Sequence, residues 1–163
     1  MGHRFDPAHM ARLESPERRR FLDPDRILEA IGVRPGAVIA DIGCGPGFFS
    51  LPAARAAGPE GTVYAIDLAP EMLQRIEERA REEGFDNIVP VQATESGSPV
   101  RDGSCDLALA VNVLHETEDR VAFLAEVRRI LRDGGALAIV EWKKELTEKG
   151  PPVDDRVSSG DVA

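Results

Sequence analysis

Positive charge is scarce in this chain. Twenty Lys and Arg face 29 Asp and Glu, for a net charge of −9. A nucleic-acid-binding surface needs clustered positive charge, so the composition argues against that partner. Long apolar runs are missing too. Nothing approaches the roughly 18 residues of a membrane span, and the N-terminus does not read as a signal peptide, so a cytoplasmic protein without a membrane span is expected. Cysteine is limited to Cys44 and Cys105. Two isolated cysteines offer neither a zinc spacing nor a disulfide framework, and read as buried reduced thiols. His3, His9 and His115 are too scattered to suggest a metal cluster, so no metal is expected. What is present, 163 residues of which 42% are hydrophobic, suits one domain around one core.

The most informative stretch is Val38-Ile39-Ala40-Asp41-Ile42-Gly43-Cys44-Gly45-Pro46-Gly47. A short apolar run ending in an acid reads as a buried parallel strand. The glycines after it let the chain turn sharply and leave room for a ligand against the backbone. Phe48 to Ala57 continues as a helix whose first amides point toward the loop. The spacing excludes two readings. A dinucleotide fingerprint needs Gly-x-Gly-x-x-Gly, but counting from Gly43 or Gly45 places Phe48 or Ser50 at the third glycine. A P-loop needs Gly-Lys-Ser/Thr, and there is no lysine here. A ligand-free turn between strand and helix stays open at this point.

Thr62 to Asp67 is a second β-rich run ending in an acid. Asp67 follows Asp41 by 26 residues, near the roughly 20-residue interval at which an acid meets a ribose in βαβ nucleotide sites. Its two oxygens can accept both ribose hydroxyls. The alternative is that Asp67 caps the helix expected over Pro70 to Glu83. Further strands are expected at Ala37 to Ile42, Ile88 to Gln92, Asp106 to Val111 and Ala136 to Trp142. Helices are expected near Pro16 to Leu22, Pro24 to Ile31 and Thr117 to Leu131, the last stopped by Asp133-Gly134-Gly135. Strands alternating with helices predict a parallel sheet with helices on both faces.

The Asp-x-Gly-x-Gly-x-Gly pattern, Asp67 and four later stretches resemble class I S-adenosylmethionine-dependent methyltransferases, in the small-molecule group of ubiquinone/menaquinone-biosynthesis type. Those stretches are 102–106, Asn112-Val113-Leu114-His115-Glu116, 126–135 and Trp142-Lys143-Lys144-Glu145. The resemblance spans about Phe5 to Arg156. It implies an α/β, Rossmann-like doubly wound sheet of about five parallel strands, as one methyltransferase domain. Residues 1–35 would form an N-terminal helical cap, 36–142 the cofactor-binding core and 143–163 a polar tail.

The same resemblance implies site roles. Gly43, Cys44, Gly45 and Gly47 would line S-adenosylmethionine, with Asp41 near its methionine amine. Asp67 would take the ribose and Leu68 lie against adenine. Where the family usually has an Asp for the adenine amino group this chain has Thr94, followed by Glu95, and either could serve. Asn112 to Glu116 would sit at the topological switch point, where open α/β sheets bind ligands. There His115 would take a proton from the acceptor, or else simply pack against the cofactor or hydrogen-bond backbone. Glu116 would begin or cap the next helix. Arg4, Phe5 and the N-terminal helix would cover the site.

The expected activity is methyl transfer to a small molecule. The alternatives are a non-catalytic S-adenosylmethionine-binding module and, against the glycine spacing, a dehydrogenase. The family usually continues past the fifth strand with further strands that this chain lacks, leaving an open apolar edge. Truncation, a tail folded over that edge, or a homodimer covering it would account for this; truncation or pairing is favoured.

Overall fold

A computed structural model describes residues 10–161. Arg4 and Phe5 lie outside the described residues. Three short helices come first: α1 (Met10–Leu13), α2 (Pro16–Phe21) and α3 (Pro24–Ile31). Then β1 (Val38–Ile42), α4 (Ser50–Ala57), β2 (Thr62–Asp67), α5 (Pro70–Glu83) and β3 (Ile88–Gln92) alternate, followed by β4 (Cys105–Val111), α6 (Arg120–Ile130) and β5 (Leu131–Val140). All strand pairs are parallel, in the order β3-β2-β1-β4-β5. The chain winds outward from β1 through β2 and β3, then crosses back to β4. The switch point is therefore the seam between β1 and β4, where Ile42 pairs with Ala110.

Side-chain alternation sends the strands' apolar residues to both faces. Ile39, Val63, Leu107 and Leu109 meet Leu28 of α3 and Ala53 and Ala57 of α4 on one face. Ala40, Ile66 and Ala108 meet Val127 and Ile130 of α6 on the other. Two-sided burial is why these strands read as continuous apolar runs rather than as alternating ones.

The elements expected from sequence are present, with shifted edges. The helix expected from Phe48 begins at Ser50, although the Leu51 amide already bonds the Gly47 carbonyl at 3.2 Å; the glycine turn and the first helical turn overlap. The helix expected from Thr117 begins at Arg120, because Asp119 caps it by accepting the Ala122 amide at 2.9 Å. Glu116, expected to begin or cap that helix, instead ends a separate 3-10 turn, Leu114–Glu116. The fifth strand begins at Leu131 rather than Ala136. Leu131 pairs with Cys105 and Ala136 with Leu107, so the expected Asp133-Gly134-Gly135 stop is an outward bulge within the strand.

Carboxylates fasten the connections. Asp106 accepts the Val38 amide at 2.7 Å and pairs with Arg132, and these partners hold its carboxyl below the usual range. Arg129 of α6 spans a network. It bonds both Glu126 oxygens at 2.7 Å, the Val100 carbonyl at 2.7 Å, the Ser98 carbonyl at 2.9 Å, and Asp102. Arg129 first, then Ser98, hold Glu126 down to about 2. The polar 98–104 loop is held across α6 by this guanidinium, by Glu126, which accepts the Ser98 amide and hydroxyl, and by the Arg129 and Ile130 carbonyls, which accept the Gly103 and Ser104 amides.

β5 is an edge strand. Beyond it the chain turns back to α2 instead of extending the sheet. The Trp142 ring lies 6.1 Å from Phe21, and Lys149 pairs with Glu17 at 3.2 Å. Arg156, buried, donates to the carbonyls of Lys143, Glu145, Lys149 and Pro151 at 2.6–3.2 Å and lies over Trp142. No helix among the described residues is long and apolar enough to cross a membrane.

Arg129→Ala is expected to cost about 2 kcal/mol, since charge-assisted hydrogen bonds contribute roughly 1.5–3 kcal/mol. For a chain of this size that lowers Tm by about 4–8 °C. Calorimetric scans of the two proteins, with limited proteolysis mapping new cleavage to the 98–104 loop, check this.

Candidate functional site

The site is built at the carboxyl ends of β1, β2, β4 and β5. From β1 the chain enters the glycine turn. Gly43, Gly45 and Gly47 all take positive φ, at 68°, 52° and 93°. Two of them also have no room for a side chain. A Cβ on Gly43 would lie 2.3 Å from Val113 Cγ2, and one on Gly47 would lie 2.6 Å from Leu51 and 2.8 Å from Ile76. The turn is held from β2, whose Ile66 carbonyl accepts the Gly43 and Cys44 amides at 2.8 and 3.0 Å.

Asp67, at the end of β2, is held by backbone on both sides. Its Oδ2 accepts the Gly45 amide and its Oδ1 the Ala69 amide, each at 2.9 Å. The first bond shapes the glycine turn and the second orders the approach to α5. A carboxylate has about four acceptor positions, so two remain for a ligand; Asp67 does not cap α5, whose N-cap is Ala69 without a side-chain bond. Leu68 beside it is a large apolar side chain left 41% exposed.

Asp41 is not exposed. It lies fully inside, where Ser50 Oγ donates to it at 2.6 Å. Burial pushes its carboxyl up to about 6, with nearby Asp67 adding to the rise and Ser50 and Arg18 opposing it. Arg18 of α2 sits over the Phe48 ring at 4.3 Å and donates to the Leu13 carbonyl. Burial lowers Arg18 to about 10, against the pull of Asp41. Cys44 is buried in the turn, and burial raises its thiol well above the ordinary range.

The N-terminal segment lies over this loop. Leu13 approaches Gly45, and Glu14 pairs with Arg75 and Arg79 of α5 at 3.1 and 3.5 Å. Arg79 also donates to the Pro46 carbonyl at 3.1 Å. On the β3 side, Thr94 closes a tight turn with Gly97, its amide bonding the Gly97 carbonyl at 2.9 Å, and both Thr94 and Glu95 are exposed.

The second half of the site follows β4. Asn112 is the only non-glycine residue with positive φ among the described residues, at 55°. Asn tolerates this left-handed conformation better than most residues, and here it ends the strand and swings the chain into the 3-10 turn. His115 is buried in that turn, with Nδ1 2.9 Å from Glu141 Oε2.

Glu141, Arg18 and Glu14 are site residues that sequence reasoning alone does not single out. Glu141 carries a usable signal. It ends the apolar run Leu137-Ala138-Ile139-Val140 just as Asp41 and Asp67 terminate theirs. Arg18 and Glu14 carry none, because their partners lie on other elements.

Residues 40–139 match the family model described as a methyltransferase domain. A crystal structure of a SAM-dependent methyltransferase from Aquifex aeolicus is 32% identical, with a TM-score of 0.93 over 98% of this chain and 85% of that one. The ubiquinone/menaquinone biosynthesis C-methyltransferase of Hahella chejuensis is 35% identical over 72% of this chain and 47% of its own length. The arsenite methyltransferase of Halobacterium salinarum is 30% identical over 74% of this chain and 30% of its own. The chain thus matches less than half the length of these curated relatives.

Asp41 generates a pH prediction. An ordinary Asp ionises near 3.9, so between about pH 4 and 6 the folded chain holds a proton at Asp41 that the unfolded chain has lost. Stability from this group is therefore present at low pH and lost as pH rises through 6. Asp41→Asn keeps an acceptor for Ser50 and removes the dependence. Relative to wild type, the variant is expected to gain stability from pH 4.5 to 7.5, by at most about 3 kcal/mol, in urea unfolding at each pH.

Proposed function

Since the chain belongs to the class I S-adenosylmethionine-dependent methyltransferases and takes S-adenosylmethionine as its cofactor, we propose that it moves the methyl group to a small molecule held against the Asn112–Glu116 turn. The observation that carries this reading is the buried His115–Glu141 pair, placed at the switch point one turn from the residue that covers Gly43.

The residues present fit the cofactor. Three positive-φ glycines turn the backbone sharply at the end of β1, the shape a loop wrapped round the cofactor needs. Asp67 retains acceptor positions for two ribose hydroxyls while two backbone amides hold it still. Leu68 offers an exposed apolar face for adenine, and Thr94 or Glu95 lies beyond it for the adenine amino group. Asp41 supplies the negative charge for the methionine amine, and Asn112 borders the sulfur end. When bound, the cofactor supplies a methyl group already made electrophilic by its sulfonium.

The chain's own task is placement. Well-oriented reactants gain roughly 7–11 kcal/mol from position alone. His115 takes the acceptor's proton, a step that general bases accelerate by about 10²–10⁴-fold. Relatives named for ubiquinone and menaquinone biosynthesis make a reduced naphthoquinone, with its acidic ring hydroxyl, the first acceptor to try.

Titration calorimetry with S-adenosylhomocysteine tests the site. Micromolar binding is expected, weakened at least tenfold in Asp67→Ala, because charge-assisted bonds of roughly 1.5–3 kcal/mol each are lost. Affinity is also expected to fall as Asp41 protonates below about pH 6, and to stay level in Asp41→Asn. A folded chain that binds nothing would overturn the assignment.

A further inference from the structure

The carboxylate at the end of β5 has contacts that a surface acid would not have. Glu141 Oε1 accepts the Leu114 amide at 2.7 Å and the His115 amide at 3.3 Å. Oε2 accepts the Trp142 amide at 3.4 Å and faces His115 Nδ1 at 2.9 Å. The side chains of Glu141 and His115 are only 9% and 7% exposed. One residue therefore holds both the backbone and the ring of the same histidine, from a strand on the far side of β4.

We propose that Glu141 is a positioning residue that keeps the His115 proton on Nδ1 and the lone pair on Nε2. The Glu141 carboxylate meets three amide N–H groups and the ring nitrogen. A carboxylate accepts and does not donate, so Nδ1 is the donor and the neutral ring is left with its basic nitrogen at Nε2. That nitrogen is not consumed by the neighbouring acid, since Glu116 Oε1 lies 3.8 Å away, beyond hydrogen-bond length. The other charged group at the turn, Arg120, points its Nε at the Leu114 carbonyl, at 3.4 Å.

The consequence concerns the acceptor. An Nε2 lone pair serves a substrate that must lose a proton: the O–H or acidic C–H bond breaks, its proton passes to Nε2, and the electron pair stays with the substrate as the attacking pair. The ring later returns that proton to solvent. Acceptors that attack without losing a proton gain nothing from the pair. This inference deepens the proposed function, since it rests on His115 being the proton acceptor there.

Glu141→Gln separates positioning from simple support. The amide oxygen can still accept the Leu114 and His115 amides, while its NH₂ faces Nδ1 and donates to it. The ring proton must then move to Nε2. Long-range ¹H–¹⁵N spectra of the full chain labelled at histidine, at pH 8.5 and assigned with His115→Gln, read this directly. Wild type is expected to show protonated Nδ1 and bare Nε2, and Glu141→Gln the reverse. Turnover with a reduced naphthoquinone should fall about 100-fold or more, with S-adenosylhomocysteine affinity within twofold of wild type. A wild-type ring protonated at Nε2 overturns the inference, even if the variant fails to fold. So does a variant whose tautomer is unchanged. If the tautomer inverts and turnover does not fall, Glu141 positions the ring as proposed, and the reading of His115 as the base is what fails.

Discussion

The two hydrogen bonds that Asp67 accepts, from Gly45 and from Ala69, organise the rest of the site. A parallel sheet delivers its loops to one end with their amides unpaired. Something must accept those amides, or the loops will not hold one shape. Here strand-end acids do so. Asp67 accepts from the glycine turn and from the approach to α5. Glu141 accepts from the turn after β4. Asp41 lies between them, buried and bonded by Ser50. Negative charge collects where a cationic ligand would lie, and the Asp41 carboxyl rises toward 6 first because it is buried, with the nearby Asp67 charge adding to the rise.

Much of this is legible in the order of the residues themselves. Strands buried on both faces write themselves as unbroken apolar runs, so β1, β2 and β4 stand out. The acid that closes such a run, followed by alternate glycines, marks the cofactor turn. The ends of elements are harder to read, for physical reasons. Asp119 caps α6 with a side chain that resembles any other loop acid. The bulge in β5 depends on how Leu131 meets Cys105, a register set by tertiary pairing.

The site divides along the same line. Gly43, Gly45 and Asp67 act through backbone geometry that their own neighbours announce. Arg18 and Glu14 act through partners on other elements, as in the bond between Glu14 and Arg75, 61 residues apart, and the pull of Asp41 on Arg18. No local spacing encodes such pairs. Glu141 falls between these cases: its place at a strand end is visible in the chain, but its partner becomes evident only when β5 is laid beside β4.

The contact between Gly43 and Val113 carries a consequence for how such a protein can change. A methyl of Val113 occupies the place where a side chain on Gly43 would go, only 2.3 Å from where its Cβ would sit, so the two halves of the site interlock like a tongue and groove. Change at either position is constrained by the other: a side chain at Gly43 would need both a smaller residue at 113 and a backbone held at φ 68°.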